Sequence, residues 1–172
     1  MPASPGLMRG LSPAALRRNL RRLLDIVHAG EGCWTIHLVG DRIMKQVHDR
    51  TMRDPSTTDV ITLDYRTRGA KGTRRAALDL ESFVCAAEAR RQAKLRGHSV
   101  QHELLLYLVH SLLHVQGYDD RTAREAQRMH RREDRILVAL GIGPVYGRPA
   151  GESKERHLPN RPGGKGRTSG RR

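Results

Sequence analysis

The residues best placed to do chemistry lie in one run, His110-Ser-Leu-Leu-His114-Val-Gln-Gly117-Tyr118-Asp119-Asp120. Two imidazoles four positions apart share a helix face, roughly 5–6 Å from each other. At that spacing both rings can turn a nitrogen toward one ion. Gly117 permits a sharp exit from the helix, so Asp119 or Asp120 can fold back toward the same point. The layout is that of a metal clamp of two histidines closed by a carboxylate. Ser111 stands where the peptidase pattern His-Glu-x-x-His carries its general base, which argues against peptide hydrolysis. The plainer alternative is a leucine-faced core helix with hydrogen-bonded histidines, and an Asp120 that only caps or pairs with Arg124.

The elements that must position this run can be read by periodicity. Ser12-Pro13 is a helix start, followed by Leu16, Leu20, Leu23, Leu24 and Val27 at helical spacing, with Arg17, Arg18, Arg21 and Arg22 opposite and Gly30 and Gly32 as the stop. Trp34–Val39 alternates as a strand, Asp41 caps a short helix to about Met52, and Val60–Tyr65 reads as a second strand. A charged hairpin loop over 66–75 leads to a third strand, Ala76–Ala86. Ala87–Leu95 is helical, Ser99 caps the long helix to Val115, and Ala123–Leu140 closes the fold with Met129, Ile136, Leu137 and Leu140 inward. The class is α+β: a small mixed sheet of three to four strands, helices on one face, and the histidine pair on a central helix.

Composition narrows the function. The 172 residues carry a net charge of +14, with 37% apolar and only 3% aromatic residues, which argues against aromatic base-stacking platforms and favours phosphate contacts. From Arg148 apolar periodicity vanishes and Pro, Gly, Ser, Lys and Arg dominate. Residues 1–10 are expected to be a flexible lead-in, 11–147 a single domain, and 148–172 a disordered basic tail. Cys33 and Cys85 read as reduced core thiols, and no segment resembles a signal core or a membrane span; both point to the cytoplasm.

With these residues in order, the chain resembles the YbeY family of metal-dependent endoribonucleases of ribosomal RNA maturation. The resemblance rests on Thr58-Asp59-Val60 at a strand start, Glu88-Ala-Arg-Arg-Gln-Ala93 opening a helix, and His110-x-x-x-His114-x-x-Gly117-Tyr118-Asp119. Met129, Glu133 and Leu137 on the last helix complete it. The chain departs from the family pattern in four places. Asp120 stands where the family's third histidine is expected, six residues after His114. Met52, flanked by Arg50 and Arg53, occupies the place of an arginine before Thr-Asp-Val. Leu80-Glu81-Ser82 keeps only the acid of the family's Gly-Asp-Ile, and Ile61-Thr62-Leu63 replaces its Leu-Ser-Phe.

The resemblance implies a domain whose metal is held by His110, His114 and Asp120. That ion would be zinc, with another divalent metal as the alternative, since two imidazoles and a carboxylate form a recognised zinc set. It further implies hydrolysis of single-stranded RNA in maturation of the 16S 3′ end and in ribosome quality control. Arg50 or Arg53 would neutralise the phosphate. Asp119 and, less favourably, Glu103 are candidates to orient a histidine, whereas Asp59 reads as a turn cap. The expected partners are ribosomal RNA and the small ribosomal subunit, with no membrane and no DNA; the oligomeric state is not legible. The competing function is a catalytically weakened, ribosome-associated RNA-binding protein.

Overall fold

The Ser12 hydroxyl accepts the Ala15 amide and Pro13 fills the first helical position, so helix α1 runs Pro13–Ile26. The computed structural model describes residues 6–66 and 78–146. Leu16 and Leu23 of α1 are buried, and Arg22 reaches across to the carbonyls of Ala139 and Leu140 at 2.9 and 3.1 Å. The helix ends before the expected glycines, with His28 in the left-handed region (φ 52°). Gly32 serves a different need. It opens strand β1 (Gly32–Val39) at φ +145°, where a Cβ would stand 1.9 Å from the Leu78 carbonyl oxygen. Glycine is therefore required at this strand crossing.

The chain continues through α2 (Asp41–Met52), β2 (Val60–Asp64), β3 (Leu78–Cys85), α3 (Ala86–Arg96), α4 (Val100–Val115) and α5 (Ala123–Ala139). The strand order is β1–β3–β2, with β1 parallel and β2 antiparallel to the central β3. This is the mixed sheet of an α+β fold. Strand alternation divides the core in two. Leu80 and Val84 join the main core with the leucines of α4, while Phe83 and Cys85 pack with Val39, Met44, Val47 and Ile61 beneath α2. Helices thus cover both faces of the sheet, not one, because Met44 and Val47 give α2 an apolar side of its own.

Helix α4 is central. Ser99 caps it through the His102 amide, and ten of its sixteen residues are buried, as expected of a helix enclosed on all sides. Ala86, Ala89 and Ala93 let α3 lie close against it. At its C-terminus, Arg66 grips Asp64 at 2.8 Å through two nitrogens and donates to the Val115 carbonyl at 2.9 Å. That contact joins the end of β2 to the end of the histidine-bearing helix.

One expectation changes. Cys85 is buried, but Cys33 is exposed on β1, so only one thiol belongs to the core; both are free. Of the expected lead-in, residues 6–10 form turns whose Gly6 and Leu7 carbonyls accept from Arg90 at 2.8 and 2.7 Å. Most of the 66–75 loop, the first two residues of the expected third strand and the whole 148–172 tail lie outside the described residues. No described helix is long and apolar enough to cross a membrane.

Candidate metal centre

The two histidines meet at their Nε2 atoms, 3.0 Å apart, with the rings nearly perpendicular. What fixes each ring is the partner of its other nitrogen. His114 Nδ1 lies 3.1 Å from the Tyr118 carbonyl oxygen, which can only accept, so this nitrogen carries the proton. His110 Nδ1 lies 2.7 Å from Glu133 Oε1, a fully buried carboxylate from α5. With both protons on Nδ1, both Nε2 lone pairs point at one another. Asp120 adds its carboxylate, with Oδ2 3.9 Å from His110 Nε2 and Oδ1 3.9 Å from His114 Nε2. Three acceptors converge and, among the described residues, no donor lies between them, an arrangement that calls for a cation.

The donor set fits a divalent metal. Its three ligand atoms lie within 4.8 Å of one another. Around one zinc with bonds near 2.0–2.1 Å, tetrahedral ligand atoms stand roughly 3.3 Å apart, so the two nitrogens are already near that spacing and the Asp120 carboxylate completes the clamp by closing in roughly 1 Å. The buried Glu133 is the kind of outer partner that metal-bound histidines use to set tautomer and raise basicity. Without metal, a proton takes part of this role. Burial disfavours a charged His110, but the Glu133 hydrogen bond and charge, with the charges of Asp59 and Asp120, outweigh it and raise its pKa.

Local sequence explains how the loop delivers Asp120. Gly117 takes φ +87° directly after α4. Asp119 then turns the chain by accepting the Asp120 amide at 2.9 Å, with its other oxygen 3.1 Å from Arg121. Thr122 and Glu125 form a capping box that starts α5 immediately afterwards. Asp119 therefore shapes the loop and orients no histidine.

Glu103 does not orient one either. It is buried against Arg96 at 2.6 Å and His98 at 3.0 Å. Asp59 caps its turn as expected, its Oδ1 accepting from Thr58 and from the Val60 amide. The orienting groups that sequence reasoning missed are the Tyr118 carbonyl and Glu133. In the sequence Glu133 stands out only through the family resemblance. An acid at an inward position between Met129 and Leu137 was the available signal.

Beside the centre runs a groove of about 500 Å³, lined by His48, Met52, Thr58, Thr62, Ser111 and His114 among others. Its volume is within the range of small-molecule sites. Ser111 and Thr62 share a hydrogen bond on its floor. Thr62 bonds Ser82 at 2.8 Å, and Ser82 accepts the Trp34 indole N–H at 2.8 Å. This buried hydroxyl chain ties α4 to all three strands. His114 belongs to both clamp and groove, so anything bound in the groove abuts the metal position. Arg50 and Arg53 are exposed near the end of α2. Neither lines the groove; His48 and Met52, one turn apart on that helix, do.

Comparison with known proteins places these features in a family. Residues 11–141 match the family described as Endoribonuclease YbeY. The chain is 35% identical over 108 residues to the Endoribonuclease YbeY of Chlamydia felis, covering 61% of this chain and 67% of that protein. It is 34% identical over 139 residues to that of Micrococcus luteus, covering 79% and 85%. A solution structure of a Thermotoga maritima protein is similar at a TM-score of 0.49 and 16% identity, over 89% of this chain and 96% of that one.

Proposed function

Since the chain belongs to the YbeY family, we propose that it is a metal-dependent endoribonuclease that hydrolyses single-stranded segments of ribosomal RNA precursors. The metal would be zinc or a similar divalent ion held by His110, His114 and Asp120. The observation that carries this reading is the convergence of two Nε2 lone pairs and a carboxylate beside a nucleotide-sized groove. A three-ligand divalent ion with an open position lowers the pKa of water toward ~7 and polarises phosphoryl oxygens.

The chain's own residues supply the rest. Glu133 and the Tyr118 carbonyl hold the two imidazoles in the ligating tautomer. The Thr58, Thr62 and Ser111 hydroxyls offer hydrogen bonds to a sugar-phosphate strand, while Met52, Val60 and Val115 give the groove apolar walls. The wider role follows the family: maturation of the 16S 3′ end and ribosome quality control in the cytoplasm, on or near the small subunit. The domain would be residues 11–147, with the basic 148–172 tail adding non-specific affinity for RNA.

The test is direct. Purified protein should carry about one equivalent of divalent metal and cut a structured ribosomal RNA precursor, and a chelator should stop the cutting. Asp120→Ala should lose metal and cleavage together, whereas Asp120→His should retain both. Cutting that ignores chelator, or wild-type protein with little metal that the histidine variant restores, would sink the claim that Asp120 closes the site.

Arg50 and Arg53 are proposed to meet the phosphate. Both are exposed, and among the described residues neither guanidinium is engaged in an ion pair, so both are available to a strand that runs past the groove. The double variant Arg50→Gln/Arg53→Gln should weaken cleavage at low RNA concentration by roughly fivefold, about 1 kcal/mol, with metal content unchanged. Unaltered kinetics would remove both arginines from the substrate path.

A further inference from the structure

Helix α5 turns Met129, Glu133, Ile136 and Leu137 into the core. On its opposite side Arg124, Arg128, Arg131 and Arg135 follow one another at spacings of four, three and four, and all are exposed. At 100° per residue they fall within an arc of about 60°, a ridge roughly 16 Å long. Like charges at these spacings destabilise a helix. Each acid of α5 is held by a partner other than these arginines. Glu125 closes the capping box with Thr122, Glu133 holds His110, and Asp134 accepts the Val145 and Tyr146 amides. Among the described residues none of the four guanidinium groups is in an ion pair. A ridge of unneutralised arginines is a surface prepared for a polyanion.

Its position identifies which one. Arg124 lies four residues after Asp120, and the Arg128 guanidinium sits 5.1 Å from the centroid of the Tyr118 ring. The carbonyl of that same tyrosine holds His114. The ridge therefore begins at the rim of the metal centre and leads away from it along α5. We infer that this arginine ridge is a binding surface for the sugar-phosphate backbone of the RNA beyond the segment being cut, outside the groove. The inference rests on the endoribonuclease reading and adds to it where the remainder of the substrate lies. Planar guanidinium groups match phosphate in shape and charge, and contacts of this kind carry affinity without sequence preference.

The experiment uses the full chain in chelator, so that RNA is bound and not cut, with a fluorescent single-stranded RNA oligonucleotide as probe. Affinity is followed by anisotropy as salt is raised. The variant Arg124→Gln/Arg131→Gln/Arg135→Gln leaves Arg128 on Tyr118. It should bind RNA more weakly at low salt, and its log–log salt slope should be shallower by about 2, the change expected for three lost phosphate contacts on a single strand. Its metal content should be unchanged and its Tm equal or higher, since repulsion along the helix is relieved. Arg17→Gln/Arg18→Gln/Arg21→Gln on α1 is the control of equal charge. A wild-type slope in the α5 variant would overturn the inference and point to an acidic protein surface as the partner. An equal loss in the α1 variant would also overturn it, by reducing the effect to net charge. The endoribonuclease reading fails separately: a protein that shows the ridge-dependent slope and never cuts RNA keeps the ridge and loses the nuclease.

Discussion

His114→Ala is expected to strip the protein of metal and reduce RNA cleavage by more than about 100-fold, since loss of even an outer partner of a metal ligand costs 10–100-fold. The expectation follows from the two places His114 occupies. Its Nε2 is one of only three ligand atoms in the cluster, and its ring also lines the groove. With two ligands left, the ion has no closed set on the protein side, and the water it would activate has no fixed position. The variant should nevertheless fold. His114 is the exposed member of the pair, and its one inward bond goes to the Tyr118 carbonyl, which water can satisfy. His110→Ala is a less clean probe, because it strands the buried Glu133 carboxylate without its partner. The measurements are metal content, cleavage rate and Tm in chelator. Persistent cleavage in a metal-free His114→Ala protein would place the chemistry elsewhere.

The histidine pair was legible because everything it needs locally is close in sequence. Helical spacing, a capping Ser99 and the Gly117 exit are short-range signals, and they put both rings and the Asp120 loop where the structure has them. Glu133 was hidden by distance. It lies 23 residues from His110 on another helix, and only packing of α5 on α4 joins them. The sheet order has the same cause, since β1 meets β3 across an intervening helix and strand. For α2 the phase was the obstacle. A helix start at Asp41 does not say which side will face β2, and the side that does carries His48 and Met52, leaving Arg50 about 200° from His48 at 100° per residue. Cys33 was misplaced because an apolar neighbourhood in sequence does not fix which face of an outer strand is covered.

Glu133→Gln should weaken metal binding by 10–100-fold, the range found for partners of metal-bound histidines, and should change how stability depends on pH. Glutamine keeps the size and can still accept the His110 Nδ1–H. It gives up the negative charge that makes His110 a better donor to a metal, and it sets an amide where Glu133 Oε2 is buried without a partner. In chelator the effect is read through the proton. Burial works against protonation of His110, but Glu133, with Asp59 and Asp120, overcomes this and raises the folded-state pKa above the ordinary histidine value. A raised histidine pKa contributes stability that is fully present below the unfolded pKa and is lost as pH rises through the folded one. Chelated wild-type protein should therefore lose Tm as pH climbs from below ~6.5 through the His110 pKa, and Glu133→Gln should flatten that loss. With metal present the dependence should reverse, because the ion needs the unprotonated Nε2 and binds more tightly as pH rises. A chelated wild-type Tm that is flat across this window, or a glutamine variant that keeps full metal affinity, would mean that Glu133 packs beside His110 without tuning it.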